Sequence, residues 1–459
     1  MGVTTYFNIS ERRFFLRFID ALIIIASIYF SYIFFEFNFF DFLNPSIINW
    51  LILLVFYFMV FGEIFQLYNL TLSYNRYLVF KGIIITAITT ILLYIFTPYI
   101  TPELPSNRVQ ILTLFLIVSI PVLLWRFVYM TFITSPKYFK NVVFIGKSSR
   151  IEPMLKKIDK DSFHHIVAYF SNKEIEGVKG FKNIVNISND DSLHKIFISE
   201  VIVSKENLSE EIITILNKKL IDLFKTGVNI INYSKFSEQL TACVSKEYLT
   251  HNFYDNFNYS ENNNSRLYLF GVRFLDIFLS LLGVILLLVF LPFIAIGNCI
   301  GNWGSLFYTQ LRIGKNGKPF KIYKLRSMVE NAENNGAVWC KRGDIRITRF
   351  GRFLRITRLD EFPQFFNILK GDMSLIGPRP ERPKFVKDLE EKIPFYAIRH
   401  ILRPGLTGWA QVNYPYTNTR EEQEVKLRYD LYYIKERNIL LDFKILIKTI
   451  TTVLYLRGQ

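Results

Sequence analysis

The run Ile277-Phe-Leu-Ser-Leu-Leu-Gly-Val-Ile-Leu-Leu-Leu-Val-Phe-Leu-Pro292-Phe-Ile-Ala-Ile296 holds twenty residues without a charge. About twenty apolar residues cross the hydrocarbon core as a helix, so the run is long enough to span. The charge beyond it argues against a crossing. After residue 297 the chain carries 29 Lys and Arg against 16 Asp and Glu, which is +13 of the +16 net charge of all 459 residues. A crossing would carry that charge to the outer face, against the positive-inside tendency. Pro292 lies within the run and removes a helix hydrogen bond. Arg273 and Asp276 stand at its start, three residues apart. The expectation is a re-entrant helix over 266–300, kinked at the proline, that dips into the membrane and returns on the same face.

Upstream lie four more uncharged runs, Ala21–Phe35, Phe42–Gly62, Gly82–Pro102 and Val109–Trp125. Each reaches or approaches spanning length, and Phe14–Ile19 extends the first. A cleaved signal peptide fits poorly, because three more runs follow and no small-residue cleavage site ends the first. Arg12 and Arg13 precede the first run, Arg76 and Lys81 follow the second, and Arg126, Lys137 and Lys140 follow the fourth. The intervening connectors hold only Arg108. This alternation predicts a four-helix transmembrane bundle over 1–140 with both ends in the cytoplasm. The whole chain, 51% hydrophobic with 45 Phe and 26 Tyr, is too apolar to be disordered. Its three cysteines, Cys243, Cys299 and Cys340, form no CxxC pair and suggest neither a disulfide scaffold nor a metal site.

Residues 141–265 are nearly neutral, with 15 basic and 16 acidic side chains. Asn141-Val-Val-Phe-Ile-Gly146 reads as a buried strand ending in a glycine turn. A helix over Ile151–Ile158 follows, then strand candidates at Ile166–Phe170, Ile196–Val203 and Gly227–Ile231. Alternating strands and helices predict a Rossmann-like cytoplasmic α/β domain with a parallel sheet. Gly146-Lys-Ser-Ser149 lacks the second and third glycines of GxGxxG, so the turn is not prepared for a pyrophosphate.

The basic region, 301–459, carries the chemistry. Arg346, Arg349, Arg352, Arg355 and Arg358 recur every three residues and lead into Leu359-Asp360-Glu361-Phe362-Pro363-Gln364-Phe365-Phe366-Asn367-Ile368-Leu369-Lys370-Gly371-Asp372-Met373-Ser374, with Gly377-Pro-Arg379-Pro380 close behind. The arginines suit phosphates through bidentate hydrogen bonds, and equally an interfacial helix face meeting anionic lipid. Nucleic acid is disfavoured by the membrane runs and by the lack of a binding motif. An ionised Asp amid arginines can attack phosphorus, and an adjacent Glu can hold Mg2+. The bland alternative for Asp360-Glu361 is an acidic pair at a helix start. The aromatic residues Phe362, Phe365 and Phe366, with Ile368 and Leu369, suit either a shallow interfacial helix or ordinary core packing. Ile439–Leu456, interrupted by Asp442, Lys444 and Lys448, reads as an amphipathic packing helix.

Residues 266–459 resemble the bacterial sugar transferases, the polyprenyl-phosphate hexose-1-phosphate transferases. The resemblance rests on Gln310-Leu-Arg-Ile-Gly-Lys-Asn-Gly317, Phe320-Lys-Ile-Tyr-Lys-Leu-Arg-Ser-Met328, the Arg355–Pro380 block, Arg403-Pro-Gly-Leu-Thr-Gly-Trp-Ala-Gln411-Val and Tyr429-Asp-Leu-Tyr-Tyr433. By layout, the four spans and the α/β module resemble the large subgroup, such as undecaprenyl-phosphate glucose or galactose phosphotransferases. The resemblance implies a mainly helical catalytic domain at the interface of the bacterial inner membrane, on its cytoplasmic face. It implies transfer of a sugar-1-phosphate, glucose or galactose, from a UDP-sugar to undecaprenyl phosphate, releasing UMP. Asp360 then matches the nucleophile that forms a covalent phosphosugar, and Glu361 its Mg2+-coordinating partner. Arg355 matches a phosphate contact, and Arg379, Arg403, Lys324, Arg326 and Gln364 are implied in substrate binding. Membrane lipids and a homodimer are the further implied partners. Leu291 stands before Pro292 where the family often carries Ser.

Overall fold

A computed structural model describes the chain except residues 1–8, 36, 38, 70–75, 104–106, 134–139, 159–163, 185–197, 207, 250–252, 254–256, 331, 333–343, 415–418 and 455–459. Cys340 and part of the expected strand at 196–203 fall outside the described residues. The chain forms two compact units, Met1–Tyr233 and Ser234–Gln459.

In the first unit, α1 (Ile9–Phe35), α2 (Ile47–Ile64), α3 (Arg76–Ile95) and α4 (Val109–Val128) match the four apolar runs. α1 packs on α2 and α4, and α3 on α2 and α4. Leu16, Ile24, Phe58, Ile83, Val118 and Val122 meet in their shared core. All four helices are long and apolar enough to cross a membrane. α3 starts six residues before the apolar run and stops at Ile95, ahead of Pro98, which disfavours helical backbone in the residue before it. Among the described residues, two ion pairs join these helices. Asp20 and Arg126, both fully or almost fully buried, meet at 2.5 Å across α1 and α4. Arg17 pairs with Glu63 of α2, and the Tyr68 ring lies 5.2 Å from Arg126 and 5.4 Å from Arg17.

The rest of this unit is a five-stranded parallel sheet in the order β3-β2-β1-β4-β5: β1 (Lys140–Ile145), β2 (His164–Ser171), β3 (Phe181–Asn183), β4 (Glu200–Val203) and β5 (Asn229–Asn232). α5 (Ser148–Ile158) follows the Gly146 turn, and α6 (Glu210–Lys225) buries Leu216, Leu220 and Leu223. Val143, Ile145, Val201 and Phe170 fill the core beneath α6.

Residues 234–265, expected in the middle domain, pack on the second unit instead. Val244, Leu249 and Phe253 share a core with Leu431 and Ile434. Trp409 Nε1 donates to the Ala242 carbonyl at 2.7 Å, and Arg428 Nε donates to Val244 O at 2.6 Å. Ser260 and Asn262 both donate to Arg437 O at 2.9 Å.

The apolar run from Ile277 to Ile296 lies in one long helix, Arg266–Gly301, capped by Ser265, whose hydroxyl accepts from Tyr268 N. Helical conformation continues past Pro292. Tyr268, Asp276, Ser280, Gly283, Leu287, Ile294 and Asn298 are buried. Their steps of three, four, seven or eight residues draw one stripe along the whole helix. Leu281, Ile285, Leu288, Phe293, Ile296 and Ile300 stay exposed.

The remaining elements give the expected mainly helical domain with two small sheets. β6 (Phe307–Ile313) pairs antiparallel with β7 (Pro319–Leu325), and β8 (Ser374–Ile376) pairs parallel with β9 (Gly405–Thr407). The last helix, Ile439–Leu454, is amphipathic as expected. It buries Leu441, Ile445 and Ile447, and leaves Ile439, Leu440 and Phe443 exposed. Lys444 and Lys448 lie 5.2 and 4.9 Å from the Trp409 ring.

Candidate active site

The site is assembled by a helix, a strained corner and a second helix. Thr348 caps the helix Arg349–Ile356 by accepting from Gly351 N at 2.9 Å. Gly351 is required there, because a Cβ would stand 2.0 Å from the Ser327 carbonyl oxygen. That close approach lets Arg355, in the last turn, donate from Nε to Ser327 Oγ at 2.8 Å. The chain then turns through Arg358 in the left-handed region, with φ at 62°. Such a conformation costs a non-glycine residue about 1 kcal/mol and concentrates at functional sites. A 3-10 turn, Leu359–Glu361, presents the acidic pair, and Pro363 opens the helix Gln364–Lys370.

Asp360 and Glu361 are both buried. Glu361 gathers cations from three directions: Lys324 of β7 at 3.2 Å, Arg379 at 2.9 Å and Arg358 at 4.0 Å. Burial alone would raise the Glu361 carboxyl, but Arg379, Lys324 and Arg358 outweigh it and hold it well below the usual carboxylate range. Burial raises the Asp360 carboxyl, and the Glu361 charge pushes the same way against Lys324, Arg355 and Arg358. The two neighbours are thus driven apart, one firmly anionic and one more basic, a pattern typical of acid-base and nucleophilic sites. Burial also lowers the Lys324 ammonium, against the pull of Glu361.

The structure therefore brings together Asp360, Glu361, Lys324, Arg355 and Arg379. Gln364 is buried on the first turn of the following helix, and its Nε2 has no hydrogen-bond partner among the described residues. One expected binding residue is engaged elsewhere. Arg326 is buried and donates to the Asn302 carbonyl just past the long helix, so it fastens that helix end. Arg403 is exposed. The arginine series also divides. Arg355 and Arg358 act on the dyad, Arg346 pairs with Asp344 at 2.5 Å, and Arg349 and Arg352 are exposed. Of the five apolar residues after the dyad, only Phe366 is exposed; Ile368 is fully buried, and Phe362, Phe365 and Leu369 are half-buried, with Phe365 against Gly283.

Supporting residues come from distant parts of the chain. Asn367 bridges the dyad helix to β7, accepting from Tyr323 N at 3.0 Å and donating to Lys321 O at 2.7 Å. Arg273 donates to Ile368 O and Leu369 O at 2.7 and 2.8 Å, capping the C-terminus of that helix. Asp276 accepts from Leu375 N at 2.8 Å and Ser374 Oγ at 3.0 Å, fixing β8. β8 leads through Gly377 to Arg379; a Cβ on Gly377 would meet Arg403 O at 2.3 Å, so only glycine allows that crossing.

The family model described as bacterial sugar transferase matches residues 267–455. A Bacillus subtilis protein, provisionally named an undecaprenyl-phosphate N-acetylgalactosaminyl 1-phosphate transferase, is 47% identical over 163 residues, covering 36% of this chain and 89% of that protein. The chain belongs to the bacterial sugar transferase family. Two longer members of the family are also similar. The UDP-N-acetylgalactosamine-undecaprenyl-phosphate N-acetylgalactosaminephosphotransferase of Aeromonas hydrophila is 40% identical, over 50% of this chain and 52% of that protein. The UDP-glucose:undecaprenyl-phosphate glucose-1-phosphate transferase of Klebsiella pneumoniae is 41% identical, over 39% of each chain. The chain thus spans about half or less of the length of these two relatives. The transferase match holds the dyad and every residue placed around it, and it leaves residues 1–266 outside.

Proposed function

We propose that this chain transfers a sugar-1-phosphate from a UDP-sugar to undecaprenyl phosphate, releasing UMP. The carrying observation is the buried Asp360-Glu361 pair, in which three cations meet Glu361 while Asp360 is left more basic. An Asp360 carboxylate oxygen attacks the β-phosphorus of the donor, and the bond from that phosphorus to the UMP oxygen breaks. A phosphate oxygen of the lipid then attacks the covalent phosphosugar and frees Asp360. Lys324, Arg355 and Arg379 supply fixed positive charge where phosphate charge develops, and the Gln364 amide adds a buried donor. The dyad fits Mg2+, because that ion takes one or two carboxylates and completes its shell with substrate phosphates and water. Glu361, held ionised, would carry it, and the ion would neutralise diphosphate charge.

The finer architecture belongs to the same reading. α1–α4 form a transmembrane bundle in the bacterial inner membrane, and the parallel sheet is a Rossmann-like cytoplasmic domain. The long helix is re-entrant in effect. Gly283 packs on Phe365, and Ile294 packs with Leu325 and Leu354 of the same domain. The ten residues between them rise roughly 15 Å as helix, half of a ~30 Å hydrocarbon core. Both ends therefore stay on the cytoplasmic face, with the exposed apolar side in lipid. A homodimer is part of the proposal and is checked by the mass of the detergent-solubilised protein.

The test is nucleotide release by purified protein given undecaprenyl phosphate and UDP-glucose, UDP-galactose or UDP-N-acetylgalactosamine. UMP with one donor is the expected product; UDP would indicate direct glycosyl transfer, and no nucleotide from any donor would indicate a non-catalytic scaffold. Asp360→Asn should abolish both turnover and the covalent phosphosugar seen by intact-protein mass spectrometry. Full turnover in that variant overturns the mechanism.

A further inference from the structure

Behind Arg379 the backbone runs between buried charges. Arg379 donates to Glu361 at 2.9 Å, and its own carbonyl accepts from Arg399 Nη2 at 3.0 Å. Arg399 is 2% exposed. Tyr396 OH accepts from its Nη1 at 2.7 Å, and Asp430 lies 2.7 Å from its Nη2. The next carbonyl, of Pro380, accepts from Arg312 Nη1 at 3.1 Å. The Glu381 carboxylate meets Lys426 at 2.5 Å, and its carbonyl accepts from Ile313 N at 2.9 Å. Residues 379–381 are thereby gripped from β6, from the turn Tyr396–Ile401 and from the helix Arg420–Glu436.

Stability alone is a weak account of this arrangement. A buried ion pair loses hydration on both partners, and apolar residues of similar volume are often as stable. Orientation is a better account. Arg399 spends a buried guanidinium on the main chain of the residue whose side chain holds Glu361, as outer hydrogen bonds elsewhere orient ligands of a reactive centre. We propose that Asp430, Tyr396 and Arg399 are positioning residues that set the Arg379 guanidinium against Glu361, and through it the phosphate-binding geometry beside Asp360. This rests on the dyad being the phosphosugar-transfer site.

The experiment uses the full chain in detergent, with UMP release read for the donor it accepts, and compares Tyr396→Phe, Asp430→Asn, Arg379→Lys and the two doubles with Arg379→Lys. Tyr396→Phe and Asp430→Asn should each lower kcat/KM by about 10- to 100-fold, chiefly in kcat. In the Arg379→Lys background each should add no further loss. Where turnover is too low to read, UDP-sugar affinity by calorimetry completes the same comparison. Losses that multiply in the doubles overturn the proposal, as does full activity of both single variants while Arg379→Lys is impaired. If Asp430→Asn does not fold, Tyr396→Phe, which removes one hydroxyl, decides alone. Wild-type activity of Arg379→Lys instead refutes the placement of Arg379 in the site, a separate failure from that of the positioning role.

Discussion

Glu381 shows how one carboxylate acts in this domain. Burial would raise it, but Lys426, Arg399 and Arg312 outweigh burial and bring it down to about 2. A group depressed on folding contributes stability in full above its ordinary value near 4.5, and loses it as the pH falls through the folded value. Glu381→Gln should therefore destabilise the protein most near neutrality, by about 3–5 kcal/mol because Lys426 is left unpaired. The gap to wild type in thermal midpoint should narrow as the pH falls from 4.5 towards 2. A constant gap would show that Glu381 and Lys426 do not act as an ion pair. Residues at this scale were unequally legible in the sequence. Asp360, Glu361, Arg355 and Arg379 stand within one short charged block, so the block was visible in the sequence, and the resemblance to the family supplied their roles. Lys324, 37 residues away from Glu361, entered only through the family resemblance. Arg273 and Asp276 stood out only as a charged pair at the start of the apolar run, and Asn367 gave no signal; their partners lie 44 to 99 positions away and are mostly backbone groups, which sequence does not display. Arg326 looks like a phosphate ligand by type, yet it ends on a carbonyl.

At the scale of elements, the site depends on close backbone approaches. Gly351→Ala places a methyl 2.0 Å from Ser327 O, and carbonyl oxygen cannot yield as a flexible side chain would. The helix Arg349–Ile356 must then lift away, taking Arg355 from Ser327. The expected cost is at least about 1–3 kcal/mol in denaturant unfolding, together with loss of UMP release. Unchanged stability would mean that the helix sits further from Ser327 than this contact requires. Helices were legible because apolar periodicity runs over many residues, and the five long apolar segments all became helices. β3, three residues long, and the attachment of 234–265 to the second unit were not legible, since both are decided by what the segment meets after folding. Helical conformation carries on past Pro292, and buried residues line the helix on both sides of the proline.

At the scale of the molecule, Asp20 and Arg126 are 106 positions apart, and each is the buried ionic partner of the other. Arg126→Met alone should cost about 3–5 kcal/mol and lower membrane yield, whereas the double change Asp20→Leu with Arg126→Met should recover most of it. Yield and melting of the two variants in detergent check this, and a double variant as poor as the single one would assign the pair a role beyond mutual neutralisation. The separation also sets a clock on synthesis. At 5–20 residues per second, α1 leaves the ribosome roughly 5–20 s before the arginine that completes it. For that interval a carboxylate buried at the edge of the first apolar run waits without its counter-charge. The first helix is thus made as a provisional tenant of the membrane, and its tenure is confirmed only when the fourth arrives.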